Sequence, residues 1–321
     1  MGDFTIDTNL EKLLDKIKPL GCSIDYQLLN TDAELELIKP DWALHTGHDS
    51  EGLWVEFEQH GKIWRVYVRE WAGKLNYDSL GLYTDLIIKG VTQRCRWIPP
   101  GVFFMGSPLS EKNRQEPECQ HQVTLTQGFW LADTACTQAL WKAVMKDNPA
   151  FFTENKHNPI EQVSWDDVQG FLKQLNLLIP GLGAQLPTEA QWEYACRAGT
   201  TTPFSFGENI SPEKINYDGN VPYADGEKSW CREKTLVVKS LPVNSWGLYE
   251  MHGNVWEWCA DWFDDFSVMP VIDPMGSDTG SSRVLRGGSW GNHGWRVRSA
   301  NRGWYAPVNR DNYIGFRFVS G

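Results

Sequence analysis

No two of the seven cysteines (22, 95, 119, 136, 196, 231 and 259) stand in a C-x-x-C pair, and none lies beyond Cys259. An odd, dispersed set of this kind excludes a disulfide framework and a zinc ribbon, and reads as free thiols in or near a core. No apolar run approaches the roughly 20 residues that a membrane-spanning helix requires. The opening MGDFTIDTNLEKLLDKIKPL has an early acid and no apolar h-region, from which we expect a cytoplasmic protein. There is no cationic excess either. A net charge of −11 argues against binding nucleic acid or an anionic membrane.

Tryptophan, by contrast, is abundant, with 17 copies in 321 residues. Its bulk fills irregular interiors and its indole N–H needs a partner. Such a content points to a fold with little regular structure, held by aromatic packing. Charge is uneven too. From Arg283 to Gly321 there are seven arginines and one acid, Asp311. Guanidinium groups so placed serve planar, bidentate ligands or buried ion pairs with the acid-rich remainder.

The first part, 1–91, reads as an extension. Leu10, Leu13, Leu14 and Ile17 have helical spacing, stopped by Pro19 and Gly21. GLWVEFEQHGKIWRVYVREW alternates about His60-Gly61, the signature of a β-hairpin. From 92 to 321 the texture changes. A strand and then a helix capped at Thr134 or Thr137 are expected in VTLTQGFWLADTACTQALWKAVM. A second helix follows Ser164, with Val168, Phe171, Leu172 and Leu175 on one face, and a third follows Thr188, whose Gln191 completes a capping box. After Gly199 periodicity fades into about 120 residues of loop, which a compact domain carries only when the loop is functional or strongly braced.

Six segments, FFMGSP (103–108), VSWDDV (163–168), LPTEAQWEYACRAG (186–199), GLYEMHGNVWEWCADWF (247–263), RVLRGGSW (283–290) and GFRF (315–318), together resemble the formylglycine-generating enzyme family, also called the sulfatase-modifying factor domain. The resemblance implies an α+β fold, a variant of the C-type lectin fold with extensive ordered loops, here carrying a small N-terminal helix and β-hairpin extension. Enzymes of the family oxidise a sulfatase cysteine to formylglycine with copper held by two cysteines after the GGS turn, because copper(I) favours soft thiolates. Here that segment reads SWGNHGWRVR, with Asn292 and Gly294 near the positions where thiolates are needed. Copper is therefore not expected. A non-haem iron branch needs a histidine-rich helix, whereas this chain offers only His45-x-x-His48 in a turn-like HTGHDSEG stretch, so iron is not expected either.

The resemblance also implies structural calcium, which accepts six to eight oxygens, carbonyls included. The matching positions are Glu250, the carbonyls of Gly253 and Val255, and Glu257, with a second site at Asn220 and the Val221 carbonyl, where Asp225 is the available acid. In folds of this type the last strands and their loop form a ligand-facing surface. Gly291, Asn292, His293, Trp295, Gly303, Trp304, Tyr305, Asn309, Asn312 and Tyr313 have the aromatic, Asn and Gly chemistry of a paratope. Arg296, Arg298 and Arg302 are expected to face inward as braces. The aromatics alternatively just finish the core. The function expected is a non-catalytic protein- or ligand-binding module, similar to the variable proteins of diversity-generating retroelements or to a conflict-system accessory. The alternative is an oxidase of the family.

Overall fold

Residues 40–266 and 268–321 are described by a computed structural model. The helix expected over Leu10–Ile17 lies outside them. The alternating stretch does fold as the hairpin its turn residues dictate. Strand β2 (Gly52–Gln59) pairs antiparallel with β3 (Lys62–Tyr67), Gln59 opposite Lys62. His60 and Gly61 both take positive φ (55° and 71°), as a two-residue type I′ turn demands. Strand β1 (His45–Asp49) adds to the other side of β2. The HTGH stretch is thus a strand and not a turn. Its glycine answers a close approach: Gly47 lies opposite Trp54, and a Cβ there would come within 2.3 Å of the indole.

The sheet that follows has the order β15-β9-β6-β5-β4, built from β4 (Leu75–Asp78), β5 (Gly81–Ile88), β6 (Val91–Ile98), β9 (Phe129–Ala132) and β15 (Val319–Ser320). The boundary expected between residues 91 and 92 therefore falls within the start of β6, and the sheet runs through it. The chain's last strand closes on β9, Val319 opposite Leu131. Strands β7 (Gly101–Met105), β8 (His121–Leu125) and β11 (Val271–Ile272) form a three-stranded sheet. A four-stranded sheet, β13-β12-β10-β14, joins β10 (Trp256–Trp262), β12 (Arg283–Arg286), β13 (Arg302–Tyr305) and β14 (Ile314–Gly315).

Capping residues set the helix starts. Thr137 caps α1 (Gln138–Met145), and Ser164 and Thr188 make full capping boxes on α2 (Trp165–Leu178) and α3 (Glu189–Arg197). Helix α2 buries Val168, Phe171, Leu172 and Leu175 against the core, the one apolar stripe its sequence carries. Helix α3 differs. Its Glu189, Glu193 and Arg197 are buried with its apolar residues, so their charges need partners inside the protein. None of the described helices is long and apolar enough to cross a membrane.

Arg197 bonds Glu193 one turn back at 2.8 Å, and the C-terminal arginines supply the partners of the two glutamates. Arg286 pairs with Glu193, and Arg302 makes a fork to Glu189 at 2.7 and 2.8 Å. Arg298 forks to Glu118 at 2.7 and 2.8 Å and reaches Glu111 at 2.5 Å, with its remaining N–H groups donating to the carbonyls of Trp295 and Asn113. Arg317 clasps Glu257 at 2.7 and 2.8 Å. Burial alone would raise the Glu118 carboxyl, but its bonds to Arg298 outweigh that and hold it below the usual range. Arg296 departs from expectation. It is exposed and meets no acid among the described residues, because the 3-10 turn at Gly294–Val297 swings it outward while Val297 and Arg298 point in. Replacing Arg298 by Ala leaves Glu111 and Glu118 buried without a cation, so chemical denaturation should show a loss of about 3–5 kcal/mol. A loss below about 1 kcal/mol would mean that these ion pairs do not brace the fold.

Candidate functional site

Strands β12 and β13 pair with Leu285 opposite Gly303 and Val284 opposite Trp304. The glycine is a packing requirement: a Cβ at Gly303 would lie 2.9 Å from the Trp256 ring. With no side chain at 303, the buried Trp256 indole reaches past β12 and floors a cavity of about 340 Å³ on the C-terminal face. Six of the ten expected surface residues line it: Asn292, Trp295, Gly303, Trp304, Tyr305 and Tyr313. Gly291, His293, Asn309 and Asn312 do not. Gly291 and His293 are exposed beside it, the Asn309 N–H closes a turn onto Ala306, and the Asn312 carbonyl accepts from the Trp290 indole at 3.3 Å.

The wall residues have distinct roles. Trp304 is 53% exposed and lies on Phe263, ring centroids 4.4 Å apart. Trp295 packs partly against the Phe204, Tyr217, Tyr223 and Val297 cluster, and the Arg296 guanidinium sits over its ring at 4.7 Å. Tyr305 and Tyr313 rest on the main core. Burial, then Asp311, pushes the Tyr313 hydroxyl well up, so it stays a neutral hydrogen-bonding group. The Asn292 side-chain oxygen accepts from the Ser289 N–H and hydroxyl at 2.9 and 2.8 Å, which makes it the lock of the GGS turn.

Several lining residues escaped the sequence reading. Gln115, Pro117 and Glu118 come from the β7–β8 connection, Trp256 from β10 and Leu285 from β12. Only strand pairing brings them there, and no local spacing announces it. Asn301 lines the cavity too, as do Arg296 and Arg302, so two residues read as bracing belong to its wall as well.

Among the described residues no cysteine lines the cavity. The thiol and imidazole that do meet are elsewhere, in the core. Cys196 Sγ lies 3.6 Å from His252 Nε2. The other ring nitrogen, Nδ1, donates to the Val297 carbonyl at 2.7 Å, which leaves Nε2 to accept from the Ser205 N–H. Burial pushes Cys196 up to about 12 and His252 down to about 4. The pair is therefore a neutral thiol beside a neutral imidazole, a core contact with no ionised nucleophile.

The calcium positions divide. Both Glu257 oxygens are engaged by Arg317, and one also accepts from the Trp192 indole at 2.8 Å, so this carboxylate already has its cation and does not fit the ion. Glu250 fits. It is buried, one oxygen accepts from the Lys239 N–H at 3.3 Å, the other has no partner, and desolvation raises its carboxyl to about 7. At the second set, the Val221 carbonyl accepts from Gly294 N–H, Asn220 donates to Asp218, and Asp225 pairs with Lys112. Those groups are engaged elsewhere and do not converge on an ion.

A family model described as the sulfatase-modifying factor enzyme 1-like domain matches residues 89–321. Among curated relatives, the formylglycine-generating enzyme of Streptomyces coelicolor is 36% identical over 179 residues, 51% of this chain and 53% of that protein. The mouse inactive C-alpha-formylglycine-generating enzyme 2 is 31% identical over 169 residues, 50% of this chain and 49% of its own length. The chain thus spans about half the length of these relatives. Among solved structures, Treponema denticola variable protein 1 has 27% identity and a TM-score of 0.64, covering 74% of this chain and 98% of that one. PvdO from Pseudomonas aeruginosa has 28% identity and a TM-score of 0.62, covering 71% and 94%. The fold is accordingly α+β, of the C-type lectin-like type with much irregular loop, and the chain belongs to the sulfatase-modifying factor, or formylglycine-generating enzyme, domain family.

Proposed function

We propose that the chain is a non-catalytic recognition module that binds a protein partner in the aromatic cavity of its C-terminal face. One observation carries the reading: Trp295, Trp304, Tyr305 and Tyr313 surround one open cavity that, among the described residues, no cysteine lines. Rigid aromatics of this kind supply large contact area at low entropic cost. The likeness to a variable protein supports a binding role and, with it, diversification of this face by a retroelement. The likeness to formylglycine-generating enzymes favours the oxidase alternative.

Exposed Trp304 and buried Trp256 separate binding from folding. Trp304→Ala should leave the melting temperature nearly unchanged and cost about 2 kcal/mol or more of partner binding. Trp256→Ala should cost about 3–5 kcal/mol of stability. Proteins captured from host lysate by the parent chain and lost with Trp304→Ala identify the partner. Equal capture by both would contradict the reading, as would formylglycine formed from a sulfatase-type cysteine peptide, with added copper(I), above a no-enzyme control.

A structural calcium ion at Glu250, completed by the Gly253 and Val255 carbonyls, is also proposed, supported by the unpartnered buried oxygen. Calcium at a hundredfold excess over Kd should stabilise the chain by about 2.7 kcal/mol relative to chelator. Glu250→Gln should abolish the response, and a melting curve indifferent to chelator would remove the ion from the account.

A further inference from the structure

Of the seven arginines after residue 282, five are committed to acids: Arg286 to Glu193, Arg298 to Glu118, Arg302 to Glu189, Arg310 to Asp167 and Arg317 to Glu257. Arg283 donates to the Ala260 carbonyl at 2.6 Å and lies over the rings of Trp165 and Trp262. Arg296 alone among the seven meets neither an acid nor a carbonyl of the described residues with its guanidinium. It is exposed at the cavity wall over Trp295. Its backbone is fixed, since its N–H donates to the His293 carbonyl at 2.9 Å and the next carbonyl back, that of Trp295, is held by Arg298.

The other charged residues at the wall cancel. Glu118 faces Arg298, and Arg302 faces Glu189. Arg296 therefore gives the cavity one uncompensated positive charge on a molecule whose net charge is −11. A guanidinium presents parallel donors that match a carboxylate, and one stacked on an indole keeps its edge free for that contact. Trp256, Trp304, Tyr305 and Tyr313 offer the apolar and aromatic surface next to it. About 340 Å³ accommodates one large side chain with part of its neighbours. The acidic remainder repels a long anionic tract, so the favoured charge is one carboxylate, read at short range.

We infer that the cavity takes a peptide segment of the partner in which an acidic residue adjoins an aromatic one, with Arg296 as the specificity-determining residue. This rests on the recognition reading and is separable from it. The test is selection from a phage-displayed random peptide library on the full-length chain, then affinities of synthetic peptides by fluorescence anisotropy. Enriched peptides should carry Asp or Glu beside Trp, Tyr or Phe. Exchanging that acid for its amide should weaken binding about tenfold, the scale of a charge-assisted hydrogen bond. Arg296→Gln should erase the difference, and Arg296→Glu should turn the preference towards Lys, with melting temperatures confirming that both variants fold. Peptides that lose binding with Trp304→Ala but show no acid preference would overturn this inference and leave the recognition site standing. Peptides indifferent to Trp304 would overturn both, and absence of any enrichment would overturn the peptide ligand.

Discussion

Buried arginine–carboxylate forks tie the last forty residues to parts of the chain far away in sequence. Glu118 comes from the β7–β8 connection, Glu189 and Glu193 from helix α3 and Glu257 from strand β10, while Arg286, Arg298, Arg302 and Arg317 all come from the last forty residues. The C-terminal strands are two to four residues long and cannot fix their own positions by backbone bonding. Each guanidinium makes several directed bonds at once, so the alternatives to the native path leave a charge buried and unpaired. That penalty selects one arrangement more than it adds net stability, since desolvating both ions consumes much of the attraction.

What the forks position is the aromatic face. Arg298 and Arg302 anchor the segment between the GGS turn and β13 from beneath, and Asn292 locks the turn itself. Trp304 is left on the outer side and Trp256 on the inner. A surface held this way would lose little freedom on binding the partner proposed for it, which favours affinity without a large interface. The resemblance to the family's oxidases implies a cysteine pair near this turn as the place of their chemistry. In this chain an amide and a glycine stand there, and the amide oxygen is engaged in holding the turn.

Local signals were legible and long-range ones were not. The caps at Ser164 and Thr188 and the apolar face of α2 follow from short spacing, as does the His60-Gly61 hairpin. The family motifs brought in the fold, and the aromatics of the C-terminal loop pointed to six of the cavity's residues. The HTGH strand was misread as a turn because Gly47 is needed for an indole in the neighbouring strand, a contact that composition cannot reveal. Arg296 was read as a brace with Arg298 and Arg302, since alternation is a strand rule and the segment is a 3-10 turn. Glu257 was read as a calcium ligand because its match to the family could not show Arg317 upon it.

The central claim is that buried ion pairs hold this face rigid before any partner binds. Amide hydrogen exchange of the free, full-length chain tests it most directly, at residues 298–302. Rigid bracing predicts protection close to that of global unfolding there, with Arg298→Ala lowering it in this segment at least as far as the global stability falls. Fast exchange at 298–302 in the unaltered chain, at the level of an open loop, would contradict the account.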